Sequence, residues 1–336
     1  MSSADPTSAQ TPKSSSDCPD ANSGTIYLVL DAPAAKDGEP PPDPAALPKN
    51  FRSMTDKWHK PGKGNPPSRV GLDTLNASGS AQYCKGQLQA MLSTNSVTLP
   101  MVIVDLRQES HGFFQIAKAI EGESTIAVGW FAERDWMNIG KSLVSVDQDE
   151  NRRLSSAMVN VNVTVNEIKS VTQEGGVCTA KQYPVEVVGW ATEQQIANEA
   201  GSGYLRLATT DHVRPRDEEV DQFVAFDTNL GPGVWLHFHC RGGDGRTTTF
   251  LAMHDMIHNA PQVSVDDILI RQNWLGGVDL DSSPTDTRSY EFPFAVEREQ
   301  FIRDFYNYVY AAKPGGFKLP WSSWVAHKTM KDGSEG

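Results

Sequence analysis

A cysteine and an arginine separated by five residues lie in the segment VWLHFHCRGGDGRTTTF, residues 234–250. The apolar run before Cys240 predicts a buried strand, and the residues from Arg246 onward predict a helix. A thiolate is a nucleophile, and the planar fork of an arginine matches two phosphoryl oxygens. This spacing, between a strand and a helix, predicts a phosphate-binding loop with Cys240 as nucleophile and Arg246 as phosphate ligand.

Three glycines in the loop, Gly242, Gly243 and Gly245, let the backbone curl so that several N–H groups point at one anion. The helix N-terminus adds a partial positive charge. The same field is expected to lower the pKa of Cys240 from ~8.5 towards the range of activated cysteines, ~3.5–7.5.

His239, directly before the nucleophile, and Thr247, in the following helix, also have expected roles. The Thr247 hydroxyl can donate to the sulfur and ease its departure, and the ring of His239 is expected to order the loop through hydrogen bonds. The alternative is a buried structural cysteine beside an exposed arginine, because C-x5-R alone arises by chance.

Phosphoryl transfer to sulfur requires a proton for the leaving oxygen. Asp211 in LATTDHVRP follows a predicted strand, on a loop that contains Pro215. We predict that Asp211 is the general acid; the alternative is an exposed loop aspartate or a helix cap.

The segment HDMIH, residues 254–258, puts two histidines on one helix face, as in a zinc protease motif. Asp255 stands where that motif requires a glutamate, and the helix already belongs to the phosphate loop. Core or surface histidines are therefore expected, and neither a metal nor another cofactor is predicted.

The chain alternates predicted strands and helices, which indicates an α/β sheet with helices on both faces. Residues 99–107 and 125–131 are apolar runs typical of buried parallel strands. Residues 157–190 alternate apolar and polar side chains around a QEGG turn and predict a small antiparallel element. Residues 1–23 predict a disordered tail, and residues 37–48 a proline-rich linker.

The 336 residues carry a formal net charge of −12, which disfavours non-specific binding of nucleic acid or anionic membranes. No apolar run reaches the ~18–20 residues of a membrane span. The N-terminus lacks the hydrophobic region of a signal peptide. The composition leaves the oligomeric state open.

Several segments together resemble the protein-tyrosine-phosphatase-like phytases, bacterial cysteine phosphatases that act on myo-inositol hexakisphosphate. The resemblance runs from about residue 46 to 325 and rests on LPKNFR, NASGSAQY, VDLRQESHG, ERDWMNIGKS, ATTDHVRP, the phosphate loop and DILIRQNWLGG. It implies an α/β tyrosine-phosphatase-like core, with a central sheet flanked by helices, and a small partial β-barrel domain. The implied division assigns residues 24–50 and 151–190 to the barrel-like domain, and 51–150 and 191–330 to the catalytic domain.

The resemblance carries the roles of nucleophile, phosphate ligand and general acid over to Cys240, Arg246 and Asp211. It implies hydrolysis of phytate and lower inositol polyphosphates through a cysteinyl-phosphate. It also implies a secreted or periplasmic location, with a cytoplasmic one left open. Other substrate contacts are expected at the loop residues Arg241, Gly242, Gly243, Asp244 and Gly245, and outside the loop at His212, Arg52, Asp135 and Arg214.

Two residues depart from the family pattern, because Arg241 adds positive charge to the loop and Asp244 places a negative charge near the phosphate. One alternative function is a phosphatase of the same mechanism for phosphotyrosine or phosphoinositides. Another is a phosphate-binding module without catalytic activity. The intact set of Cys240, Arg246 and Asp211 favours an enzyme.

Overall fold

The computed structural model describes residues 24–32, 45–94, 97, 99–158, 162–172, 175–282 and 286–332. The predicted tail at 1–23 and most of the predicted linker at 37–48 lie outside these residues. The strands are β1 (Tyr27–Ala32), β2 (Arg52–Ser53), β3 (Ala77–Ser80), β4 (Met101–Arg107), β5 (His111–Ile120), β6 (Glu123–Phe131), β7 (Val163–Val171), β8 (Val177–Val185), β9 (Val187–Ala191), β10 (Gly203–Thr209) and β11 (Trp235–His239). The α-helices are α1 (Lys85–Ser93), α2 (Leu143–Ala157), α3 (Glu193–Glu199), α4 (Asp217–Thr228), α5 (Gly245–Asn259), α6 (Val265–Trp274), α7 (Phe292–Ala312) and α8 (Trp321–Asp332).

A five-stranded sheet, in the order β10-β4-β11-β3-β2, forms the centre of the fold. Its first four strands are parallel, and the short β2 joins antiparallel. Alternate side chains of β4 enter different cores: Ile103 packs with α1 and α3, and Val104 with α4 to α8. Both faces of the sheet are therefore covered by helices, which confirms the predicted α/β class and explains why these strands are apolar throughout.

A six-stranded sheet, in the order β8-β7-β1-β6-β5-β9, lies beside the first. The predicted strand at 125–131 exists as part of β6, but the prediction of parallel pairing is wrong, since β6 runs antiparallel to both β1 and β5. The reason is the two-residue turn at Glu121 and Gly122, which both have positive φ (50° and 84°). Such a turn forms a tight hairpin, whereas a parallel pair requires a long crossover.

The predicted antiparallel element is present in β7 and β8, with β9 continuing the chain into the same sheet. Its predicted start was too early, because Ala157 ends α2 rather than opening a strand. That helix begins at a Ser142 cap whose hydroxyl accepts the Ser145 N–H. The six-stranded sheet also includes residues 111–131, which the sequence-based division assigned to the catalytic domain. The division into domains and the closure of the barrel stay predictions.

None of the helices in the described part of the chain combines the length and hydropathy of a membrane span.

Candidate active site

The carboxyl ends of four parallel strands meet at one edge of the central sheet. Cys240 follows β11 there, Glu109 lies two residues after β4, and Asp211 lies two residues after β10. The topology therefore brings together three groups that are up to 131 residues apart in sequence, counted from 109 to 240.

Cys240 lies buried at the base of a loop that ends in the first turn of α5. Its Sγ accepts the N–H of Gly243 (3.3 Å) and the hydroxyl of Thr247 (3.2 Å). Gly243 has a φ of 75°, and a Cβ at this position would lie 2.3 Å from the Ala81 nitrogen. The loop can close around the sulfur only with glycine at this position.

Arg246 is fixed by a carboxylate that sequence reasoning did not assign. Its two terminal nitrogens donate to the two oxygens of Glu109 (2.7 and 3.0 Å), and one also donates to the Thr209 carbonyl (3.1 Å). Burial opposes charge on both groups. The pairing outweighs it, so the pKa of Arg246 is raised and the pKa of Glu109 lies well below its usual range. The signal for Glu109 was the polar run RQE, which begins at the end of a buried strand.

A chain of buried ion pairs continues from Glu109 to the second sheet. Glu109 accepts from Arg107 (2.8 Å), Arg107 donates to Asp31 (2.9 Å), and the other oxygen of Asp31 accepts from Arg241 (2.8 Å). The Arg241 guanidinium also lies 4.7 Å from the Phe131 ring centroid. The structure therefore turns Arg241 towards β1 and β6, so its charge is already partnered.

Asp211 lies directly beside the phosphate loop. Its Oδ1 is 3.1 Å from Arg246 Nε, and its Oδ2 is 3.2 Å from His212 Nε2. The Asp211 carbonyl accepts the indole N–H of Trp136 (3.0 Å), and His212 has a φ of 63° and lies 3.3 Å from the Tyr290 hydroxyl. The Asp211 side chain is about a quarter exposed, which leaves its carboxylate open to a substrate.

Asp135 also approaches the loop arginine, with Oδ2 4.0 Å from an Arg246 nitrogen. The side chain is buried, and its Oδ1 has no hydrogen-bond partner among the described residues. Burial, and then the charge of Glu109, raise the pKa of Asp135 well above its usual value. A protonated carboxyl at this position is a hydrogen-bond donor rather than a repelling charge.

Arg52 supports the loop from its buried side. It donates to the carbonyls of Gly243 (2.9 Å) and Asn50 (3.0 Å) and to the Thr248 hydroxyl (3.0 Å). Burial lowers the pKa of Arg52 to about 10. Asp244 is turned aside at the rim, where its carboxylate accepts from the Asn50 amide (3.2 Å).

Two arginines differ from the sequence-based expectation. Arg214 pairs with Glu297 (3.1 Å) and Asp217 (2.9 Å), and no described contact links it to the phosphate loop. Arg298 of α7 was not predicted, yet its Nη1 lies 3.0 Å from where a Cβ on Gly245 would stand. Its Nε is buried without a hydrogen-bond partner among the described residues, and burial lowers its pKa.

His239 is buried beneath the loop, with Nε2 2.7 Å from Glu193. The other oxygen of Glu193 lies 2.9 Å from His111 Nε2, so one carboxylate lies between two rings. Neither ring nitrogen of His239 makes a hydrogen bond to another described residue, so the structure lacks the expected hydrogen bonds from this ring to the loop. Glu193 was also missed by sequence reasoning, because it stands at the start of α3 where it resembles an ordinary first-turn acid. The second free thiol of the described chain, Cys84, is inert by comparison, since burial raises its pKa to about 12.

The helix-flanked sheet and its Cys-x5-Arg loop define a protein-tyrosine-phosphatase-like protein. The family model of the PTP-like phytases, whose description is inositol hexakisphosphate, matches residues 104–258 of this chain. A PTP-like phytase structure from Bdellovibrio bacteriovorus is 31% identical with a TM-score of 0.65; the match covers 90% of this chain and 96% of that one.

A PTP-like myo-inositol phosphatase from Mitsuokella multacida, solved with myo-inositol-(1,3,4,5)-tetrakisphosphate, is 35% identical with a TM-score of 0.75; 89% of this chain and 49% of that one are covered. The effector protein hopD2 of Pseudomonas syringae pv. tomato is 29% identical over 231 residues, 68% of this chain and 46% of the relative. This chain belongs to the PTP-like phytase family. It spans about half the length of the effector and of the Mitsuokella protein.

Proposed function

We propose that this protein is a cysteine-dependent phosphomonoesterase that hydrolyses inositol polyphosphates, including myo-inositol hexakisphosphate. The observation that carries the proposal is a sulfur at the base of a closed phosphate loop, with Arg246 and Asp211 3.1 Å apart at its mouth. Family membership supports the reaction class, and the inositol tetrakisphosphate bound to the Mitsuokella relative supports the substrate class.

In the first step, the Cys240 thiolate attacks the phosphorus of the substrate in line with the scissile bond. The S–P bond forms while the P–O bond to inositol breaks, and Asp211 gives its proton to the leaving oxygen. Loop N–H groups and the Arg246 fork hold the equatorial oxygens.

In the second step, water attacks the cysteinyl-phosphate. Asp211, now a carboxylate, takes a proton from this water; the S–P bond breaks and the thiolate returns. The Thr247 hydroxyl, 3.2 Å from the sulfur, stabilises the departing charge. The products are inositol with one phosphate fewer and inorganic phosphate.

Phosphate release from inositol hexakisphosphate and from a phosphotyrosine peptide, each with wild type and Cys240→Ser, tests the function. We expect a clear preference for the inositol substrate and no release by the serine variant. A preference for the peptide would keep the mechanism and replace the substrate with phosphotyrosine. Binding of inositol hexakisphosphate without release from either substrate would indicate a phosphate-binding module and contradict the proposal.

Arg298 is expected to bind a phosphate group of the substrate, because it borders the loop and its buried Nε has no hydrogen-bond partner among the described residues. Arg298→Met should raise the KM for inositol hexakisphosphate about tenfold or more, since a hydrogen bond to a charged group contributes ~1.5–3 kcal/mol. Steady-state kinetics measure this. Arg303→Met is the matched control on the same helix, as Arg303 pairs with the surface acids Asp266 and Asp281. Equal KM values for the two variants would remove Arg298 from the substrate site.

Glu109 is expected to position Arg246 without touching the substrate. Glu109→Gln leaves a buried arginine without its carboxylate, and we expect turnover to fall roughly 100-fold, as for ~1 Å misplacements near reacting atoms. Kinetics and thermal unfolding measure the effect, with the exposed Glu186→Gln as control. Glu109→Asp, which restores the charge, should recover part of the lost turnover; no recovery would argue against positioning through charge.

We also propose that the protein acts outside the cytoplasm of the producing cell, in keeping with its likeness to an effector protein. Fractionation of producing cells, with phosphate release measured in each fraction, tests the location. Activity confined to the cytoplasmic fraction would contradict it.

A further inference from the structure

Two histidines and an aspartate converge on the C-terminal half of α5, outside the groups that the proposed mechanism uses. His254 Nδ1 lies 3.0 and 3.1 Å from the two oxygens of Asp227, and His258 Nε2 lies 3.2 Å from Asp227 Oδ1. The two rings are one helical turn apart, with centroids 4.6 Å from each other. One carboxylate at the end of α4 therefore faces a ring nitrogen from each histidine.

The second nitrogen of the His254 ring fixes how this ring can bind. Its Nε2 lies 3.1 Å from the Leu75 carbonyl, which only accepts hydrogen bonds, so Nε2 carries a proton. Its Nδ1 faces the Asp227 carboxylate, which also only accepts hydrogen bonds, so without a metal ion Nδ1 carries a proton that a bound ion would displace. A histidine that donates from one nitrogen to a backbone carbonyl and offers the other inward has the orientation of a metal ligand.

The donor atoms of the three residues all lie within 4.8 Å of one another. Two imidazole nitrogens and one carboxylate oxygen form a donor set that suits Zn²⁺, which binds such atoms at ~2.0–2.2 Å. Asp227 and His254 are buried, whereas 45% of the His258 side chain is exposed and gives an ion access. The Lys313 ammonium contacts the His258 and Ala260 carbonyls. No described contact joins that ammonium to the three donor atoms.

We propose that Asp227, His254 and His258 bind one zinc ion, with a fourth position open to water. The ion joins the last turn of α4 to α5, the helix whose first turn carries Arg246 and Thr247. Its place is structural: it fixes these two helices against each other and takes no part in phosphate transfer. The HDMIH segment alone did not predict it, because the third ligand comes from another helix.

Zinc titration of chelator-treated protein tests the site, in a Cys240→Ser background so that the reactive thiol cannot bind the ion. Isothermal calorimetry should show one equivalent bound. His258→Ala should weaken binding at least ~10-fold, since even outer partners of metal ligands contribute ~10–100-fold. The exposed His327→Ala is the matched control and should bind as the parent does.

A second readout is independent of the heat signal. Co²⁺ in the same protein should give visible absorption typical of a site of low coordination number with nitrogen and oxygen ligands. That absorption should be lost in His258→Ala and in Asp227→Asn, each checked for folding by circular dichroism. Absence of zinc binding by the parent, or equal binding by His258→Ala, would overturn the proposal whatever substrate the phosphatase site accepts.

Discussion

Cys240→Ser is expected to abolish phosphate release from inositol hexakisphosphate while leaving the substrate bound. A serine hydroxyl occupies the same place, but it stays protonated at neutral pH and forms no reactive anion. The loop amides and Arg246, which hold the phosphate, remain. We expect a loss of at least ~10⁴-fold in turnover, in line with the removal of other enzyme nucleophiles, with Kd changed only a few-fold by calorimetry.

Cys84→Ser is the matched control, because Cys84 is the other free cysteine of the described chain and lies in a separate apolar core. Cys84→Ser should retain the rate of phosphate release when that rate is expressed per folded molecule. Acid quenching of wild type during turnover of labelled substrate should trap phosphate on Cys240. A residual rate above roughly one per cent in Cys240→Ser, far more than loss of a nucleophile leaves, would exclude the thiolate mechanism.

Asp211→Asn is expected to have the next largest effect, and an effect that depends on the leaving group. Inositol is a poor leaving group and needs the proton, so turnover of inositol hexakisphosphate should fall by ~10²–10⁴-fold. A nitrophenyl phosphate, whose leaving group departs as a stable anion, should lose much less in the first step. The comparison of the two substrates by steady-state kinetics separates proton donation from a general structural effect.

Asp304→Asn, which removes a partly buried surface carboxylate paired with Lys328, is the control for the amide substitution. Loss of Asp211 should also change the pH profile, since the limb that reports the acid disappears. Equal losses on both substrates would contradict proton donation to the leaving group, and would leave Asp211 with its role in the second step or its contact with Arg246 at 3.1 Å.

Most of the site contacts that sequence reasoning missed are ion pairs between residues that lie far apart in the sequence. The ties of Arg246 to Glu109 and of Arg241 to Asp31 join residues 137 and 210 positions apart. Any of the chain's 42 acidic residues could in principle have paired with these arginines. The substrate contact expected at Arg52 rests on the family resemblance and that at Arg241 on its place in the loop, whereas the structure engages both guanidiniums with protein groups.

What the sequence by itself determined is the contiguous phosphate loop. The hydrogen bonds from Gly243 and Thr247 to the Cys240 sulfur join residues less than ten positions apart, so the local order already specifies a strand, a turn and a helix N-terminus. The apolar runs of the strands also predicted that helices cover both faces of the central sheet. Only the tertiary structure decided which carboxylate fixes Arg246, that Arg298 of α7 reaches Gly245, and that Asp227 joins His254 and His258. These contacts form when separate elements pack, and no local pattern records which elements will meet.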